Sequence, residues 1–487
     1  MKKYKKMISM IAGLCLTAAL FGGCGGNKNY GLDPKNPTTV TIWHYYNGVQ
    51  QETFDDLIRE FNETVGQKQG IVVEAHSMGY ITDVADSALA SLRGDVGAEP
   101  APDMFAAYAE TAYIADRMGC VVDMSKYFTE EELSEYVDGY LAEGTLAEES
   151  GLKIFPIAKS TEVMMLNLTD WQNFAEAEGV SLDDLSTWEG LAETAEKYYV
   201  YTDALTPDVP NDGKAFFGRD SIANYMVVGA KQLGLEYFTT ENGTTVMNED
   251  KAAIRRLWDC YYVPYVQGYY YQNARFRSDD AKTGDIIAMV CSTTGSAYFP
   301  ESVTINDEMT YNIEGIVLSV PNFEGTDPYL VQQGAGMVVV KSDEKSEYAC
   351  AVFLKWFTEK ERSIAFSAGS GYLPVKKEAN DFSAISASFL AEGNTVTEAL
   401  LHTMEVAVSE INSYQLYAAK PFEKSTEVRD FLGTYIQDTA QEAHDEAAFR
   451  IAEGESREEV LTEYTSEAAF EAWYTGFISG LETAVGN

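Results

Sequence analysis

Strand-like and helix-like segments alternate along this chain, and that alternation restricts the folds open to it more than any other feature. Thr39-Val40-Thr41-Ile42-Trp43 is a short β-rich run, and Phe54, Leu57, Ile58 and Phe61 then recur at helical spacing within 50–63. Residues 71–75 read as a second strand, 84–92 as a second helix and 103–107 as a third strand. Strands separated by helices of this length predict a parallel, doubly wound sheet rather than a sandwich or barrel. The pattern breaks at Glu148-Glu149-Ser150-Gly151 and resumes at Lys153-Ile154-Phe155-Pro156-Ile157, which marks a crossing between two bodies. Further on, 311–318 and 336–340 are strand-like, and Ala349, Val352, Phe353, Trp356 and Phe357 share one helix face. At 487 residues the chain exceeds what one core supports, so two lobes are expected.

The N-terminal residues say where the chain works. Lys2, Lys3, Lys5 and Lys6 precede an apolar run from Met7 to Phe21 and then Gly22-Gly23-Cys24. A basic start, a short apolar run and small residues read as an export signal, too short to remain a spanning helix. Leu20-Phe21-Gly22-Gly23-Cys24 resembles the lipobox of bacterial lipoproteins, with Phe21 where that motif has Leu, Val or Ile. The resemblance implies cleavage after residue 23 and a lipid on Cys24, the other reading being an ordinary secreted chain with a spare thiol. Residues 24–38, rich in Gly, Pro and Asn, are expected to be a flexible tether, with the body starting near Thr39.

Charge and motif content exclude several functions. The chain has 35 Lys and Arg against 76 Asp and Glu, a formal charge of −41. Loss of residues 1–23 removes four lysines and no acid, and makes the balance still more negative. Such a surface repels nucleic acid and anionic headgroups. Cys120, Cys260, Cys291 and Cys350 show no CxxC spacing and read as buried free thiols, with one long-range disulfide as the alternative. The four histidines are scattered, so neither a metal nor another cofactor is expected. No HExxH, GxSxG, P-loop or EF-hand pattern is present. Ser342-Asp343-Glu344-Lys345 has the SxxK spacing of serine acylases, but its place at a helix start suits Ser342 as an N-cap instead.

The organisation resembles the extracellular solute-binding proteins, family 1, of ABC importers. The segments that carry the resemblance are 40–48, Pro102-Asp103-Met104-Phe105, 119–124, Ile154-Phe155-Pro156-Ile157, 284–289 and Phe353-Leu354-Lys355-Trp356-Phe357 with Gly371-Tyr372-Leu373-Pro374-Val375. What it implies is a two-lobed α/β fold of the type II periplasmic-binding-protein kind, each lobe a doubly wound sheet with flanking helices. Lobe 1 would comprise 39–157 and 311–368, lobe 2 158–310 and 369–487. It further implies a monomer that is not an enzyme, closes on a small solute by hinge motion and delivers it to permease subunits and their ATPase.

In open α/β sheets ligands sit beyond the carboxyl ends of the strands. By position Trp43, His44 and Tyr46 follow the first strand, Tyr80 the second and Glu110 the third. Aromatic faces there suit sugar C–H groups and Glu110 suits hydroxyls, although Trp43 reads equally well as lobe core. Glycerol-phosphate-binding relatives add, by resemblance, Ser160, Thr293, Thr294, Gly334, Tyr372 and Arg429. Arg429 is then a fork for phosphate or carboxylate, or a solvated arginine beside Asp430. The relatives' second-lobe tryptophan falls near Arg219 and Asp220, which offer donors and acceptors to vicinal hydroxyls or simply a salt bridge. The aromatic run 261–271 reads as lobe packing before sugar platform. A neutral sugar or oligosaccharide is the favoured solute; glycerol phosphate, a polyamine, or a secreted glycan hydrolase are the alternatives.

Overall fold

The computed structural model describes residues 30–147, 151–241, 244–306, 309–391 and 397–486. The export signal, Cys24, the start of the tether and most of the 148–151 break lie outside the described residues. Among the described residues no helix is long and apolar enough to cross a membrane.

One four-stranded sheet runs in the order Gly336–Val339, Met104–Ala107, Thr38–His44, Ile71–Ser77. Thr38–His44 is parallel to both its neighbours, as the strand–helix alternation predicts, and Gly336–Val339 is antiparallel. Val40 and Ile42 are fully buried, and the helix Val49–Phe61 covers them with Phe54, Leu57, Ile58 and Phe61. The helix Glu344–Phe357 closes that core with Phe353, Trp356 and Phe357. Its N-cap is Asp343, not Ser342: the Asp343 carboxylate accepts from the backbone N–H of Lys345 and Ser346.

The second sheet runs Gly315–Leu318, Glu162–Asn167, Ala288–Ser292, Phe217–Arg219. Only its last pair is parallel; the other two are antiparallel. The expectation of parallel strands therefore holds for the first sheet's core and not for the second. Apolar runs reveal that a strand exists, whereas its direction depends on the route by which the chain enters the sheet. Gly315–Leu318 hydrogen bonds into this second sheet, although 311–368 was expected with the first lobe.

Residues 369–487 likewise divide. The helix Phe382–Ala391 packs on the first body's helix Lys360–Ser370, whereas Glu398–Ser413 packs on Gly315–Leu318 and Glu162–Asn167 of the second sheet, Ile385, Phe389, Met404 and Ala407 belonging to an apolar cluster that spans both bodies. The helices Ser425–Ala452 and Glu467–Val485 cover the second through Leu432, Ile436, Phe470 and Trp473. Tyr261, Tyr262, Tyr265, Tyr269 and Tyr270 are all buried in that second core, so the aromatic run is packing. The body also starts earlier than expected: Tyr30 stacks on Tyr348 at 4.4 Å and Leu32 is buried, so residues 30–38 are docked rather than a free tether. Cys120, Cys260, Cys291 and Cys350 are free thiols.

Three chain crossings join the bodies and hydrogen bond to one another. Ser160 and Gln333 exchange backbone N–H···O bonds at 3.0 and 2.9 Å. Lys159 donates its backbone N–H to the Leu373 carbonyl at 3.1 Å, and Leu373 donates back. The hinge is thus 159–160, 333–334 and 373 side by side, a little beyond the 157 boundary read from sequence.

Candidate ligand cleft between the lobes

Tyr45, Tyr80 and Tyr108 follow the carboxyl ends of the first sheet's strands, and Tyr45 reaches the hinge while Tyr80 meets the second body. Tyr45 shares a 2.8 Å hydroxyl–hydroxyl hydrogen bond with Tyr372, and its oxygen accepts from the Ala335 N–H at 3.3 Å. Beside them Lys159, its side chain 1% exposed, ion-pairs with Glu143 and donates to the Gly334 carbonyl at 2.9 Å. Gly334 has φ +85°, and a Cβ there would meet the Ala158 oxygen at 3.0 Å. A left-handed turn this close to backbone accepts glycine.

The second body's wall is a relay of charged and amide groups. The Arg219 guanidinium donates to Glu162 Oε2 at 2.6 Å, Asn224 Nδ2 to Glu162 Oε1 at 2.8 Å, and Arg429 to Asn224 Oδ1 at 2.6 Å. Arg219 and Glu162 are buried, and the rings of Trp188 and Tyr225 lie 5.4 and 5.6 Å from the Arg219 guanidinium carbon. Arg219 Nε has no partner. Burial without matching hydrogen bonds is costly for a charge, so this relay holds its members in one arrangement.

Where Arg429 emerges, a groove of about 570 Å³ opens between Glu110 of the first body and Tyr237, Phe238, Tyr417 and Lys420 of the second side. At the rim the Arg275 guanidinium lies 5.5 Å from the Tyr80 ring and 5.4 Å from Phe276, a cation–π contact that joins the lobes.

The residues expected from sequence fall into three groups. Ser160, Thr293, Thr294, Gly334 and Tyr372 converge at the hinge: a Cβ on Gly371 would meet Thr294 Cα at 3.1 Å, and one on Gly334 would meet the Tyr372 ring at 3.2 Å. Tyr80, Glu110 and Arg429 line the rim and groove. Trp43, His44 and Tyr46, by contrast, are buried core residues. Trp43 packs with Val84 and Phe105, and Tyr46 turns under the first helix onto Phe54 and Phe366. His44 Nδ1 accepts from the Tyr46 N–H, and burial holds its pKa down at about 4. The side chain that reaches the hinge from this turn is Tyr45.

Arg219 and Asp220 also differ from expectation. They do not pair: Arg219 binds Glu162, while Asp220 accepts from the Arg277 backbone N–H at 2.9 Å, and burial raises its pKa. Sequence reasoning missed Tyr45, Glu143, Lys159, Glu162, Asn224 and Arg275. Two of these had a signal, because Lys159 and Glu162 are charges inside the otherwise uncharged stretch 154–169, where a charge needs a partner.

Residues 56–392 match the family described as bacterial extracellular solute-binding protein. The chain belongs to that family. No curated protein sequence matches this solute-binding protein. Among solved structures it is similar to the cyclic alpha-maltosyl-1,6-maltose binding protein of Arthrobacter globiformis, at 18% identity and TM-score 0.63, over 92% of this chain and 100% of that one. It is similar to UgpB of Mycobacterium tuberculosis, solved with glycerophosphocholine, at 16% identity and TM-score 0.62, over 92% and 99%. The ABC substrate-binding protein of Listeria monocytogenes solved with cycloalternan gives 14% identity and TM-score 0.61, over 93% and 100%. At these identities the likeness establishes a shared two-lobed fold over nearly the whole solute-binding protein.

Proposed function

We propose that this solute-binding protein captures a sugar or oligosaccharide between its lobes and passes it intact to the permease subunits of an ABC importer. The observation that carries the reading is the groove itself, where Tyr237, Phe238 and Tyr417 stand beside Glu110 and Arg429 at the meeting of the lobes. Aromatic faces take the apolar side of a sugar ring, while a carboxylate and a guanidinium take its hydroxyls. Solved proteins of the same fold, one a cyclic alpha-maltosyl-1,6-maltose binding protein and others bound with maltotriose or cycloalternan, support the sugar class. Glu143 and Glu162 are each tied up in an ion pair, which argues against two free carboxylates for glycoside hydrolysis.

A phosphate-bearing solute is the second reading. Arg429 makes no ion pair with an acid among the described residues, which leaves its remaining donors for an anion, and the UgpB structure with glycerophosphocholine supports this class.

The test is thermal melting of the chain from Gly25 onward with maltotriose, cycloalternan, glycerophosphocholine, glycerol 3-phosphate and spermidine, each ligand being recovered afterwards. A ligand at 100 times its Kd adds about 2.7 kcal/mol of stability, a shift of several degrees. An intact oligosaccharide with a saturable shift supports the reading; a cleaved one, or no shift with any sugar, overturns it. Arg429→Ala is expected to weaken binding of that ligand about tenfold or more while the unliganded chain melts within a few degrees of wild type. Unchanged affinity would remove Arg429 from the site.

Anchorage is part of the proposal. Cys24 receives the lipid that holds the protein on the outer face of the cell membrane, and the body acts as a monomer there. In cells, Cys24→Ala is expected to move the protein from the membrane fraction to the medium. Continued membrane association would sink the lipid-anchor reading.

A further inference from the structure

The helix Glu398–Ser413 bridges the two bodies. Its apolar face, with Met404, Ala407 and Val408, packs against Gly315–Leu318 and Glu162–Asn167 of the second sheet and belongs to an apolar cluster that continues through Phe382–Ala391 into the first body. Glu410 on this helix is 2% exposed. Its Oε1 accepts from the Val320 N–H at 3.3 Å, and Oε2 has no partner. Ser319 and Val320 begin the segment that leaves the second sheet and runs to the hinge at Gln333 and Gly334. Two residues beyond the helix, Gln415–Tyr417 pairs with Tyr329–Val331 of the same segment. The crossing is thus fastened to this helix near both its ends, and one fastening is a buried carboxyl.

We propose that Glu410 is a proton-controlled pin of this crossing, and that its ionisation loosens the hinge. The inference concerns regulation of the cleft and rests on the capture reading only for its purpose, since the pin acts in the unliganded chain. A neutral carboxyl sits at low cost among apolar neighbours, whereas a carboxylate there lacks both water and a counter-ion. Ionisable groups on the surrounding elements are few. Glu162 and Tyr298 stand on the elements packed against the helix, Tyr414 follows it, and Glu398, His402 and Glu405 lie on its exposed side. Phe382–Ala391 and Gly315–Leu318 carry none. Glu410 responds to burial first and then to Ser319 and Val320, and its pKa is raised to about 8. A raised acid favours the fold fully below the ordinary carboxylate pKa, and that contribution is lost as pH rises toward 8.

The experiment compares wild type with Glu410→Gln, and with Glu410→Met as a second non-titrating variant, without ligand from pH 4.5 to 9. Melting and small-angle scattering are read on the same samples. If the pin operates, wild type and the variants melt together near pH 4.5, and a variant melts at least about 4 °C higher at pH 9. Wild type alone gains radius of gyration as pH passes 8. Parallel melting curves, or a melting difference with no change of shape in wild type, overturn the proposal. Because no ligand is present, failure here leaves the capture reading untouched.

Discussion

Glu162→Ala is expected to destabilise the chain by about 3 to 5 kcal/mol and to abolish tight solute binding. The carboxylate holds Arg219 with one oxygen and Asn224 with the other, and Asn224 in turn orients Arg429. Removing it leaves the Arg219 guanidinium, 1% exposed, with no acid among its contacts, and frees the amide that aims Arg429 at the groove. An uncompensated buried charge costs far more than the pair contributed, because water cannot reach it. The double variant Glu162→Leu with Arg219→Met should recover most of the stability and none of the binding, since packing is restored while Asn224 still lacks its acceptor. Urea denaturation and calorimetric titration read the two effects separately. A loss under 1 kcal/mol in Glu162→Ala would mean that the relay is not a structural unit.

Lys159→Met is the second large effect, again about 3 to 5 kcal/mol. Lys159 occupies the middle of the three crossings, its ammonium between Glu143 and the Gly334 carbonyl. The variant strands the Glu143 carboxylate, whose side chain is 9% exposed, and removes a donor from the crossing at the left-handed Gly334. Adding Glu143→Gln should return much of the loss, because a neutral amide at that depth is far cheaper than an unpaired carboxylate. The two ion pairs share no partner, so the losses from Lys159→Met and Glu162→Ala should add within about 0.5 kcal/mol when combined. Strong non-additivity in urea melts would show that hinge and relay unfold as one network.

The candidate site was legible in proportion to how local its signals were. The turn after Thr38–His44 was read as a ligand edge, yet only Tyr45 serves it while Trp43, His44 and Tyr46 fill the core. Neighbouring aromatics in a turn look alike in sequence; their fate depends on which side the helix Val49–Phe61 packs. Arg429 and Glu110 lie on one groove despite a separation of more than 300 residues, and only the first, by resemblance, and strand-end position, for the second, pointed there. Arg275, which meets Tyr80 across the lobes, had no sequence signal at all.

Taken from the sequence alone, the existence of two α/β bodies, the helix faces built on Phe54 and Phe353, and a strongly acidic charge balance were determined. These follow from periodicity and net charge, which are properties of short windows and of sums. Strand direction in the second sheet, the placement of Gly315–Leu318 within it, and the sharing of the C-terminal helices between two cores were decided by the tertiary structure. So were the partners of Lys159, Glu162 and Glu410. A buried charge must find a counter-ion, a hydrogen bond or a proton, but which of these it finds depends on groups that the fold brings from elsewhere in the chain.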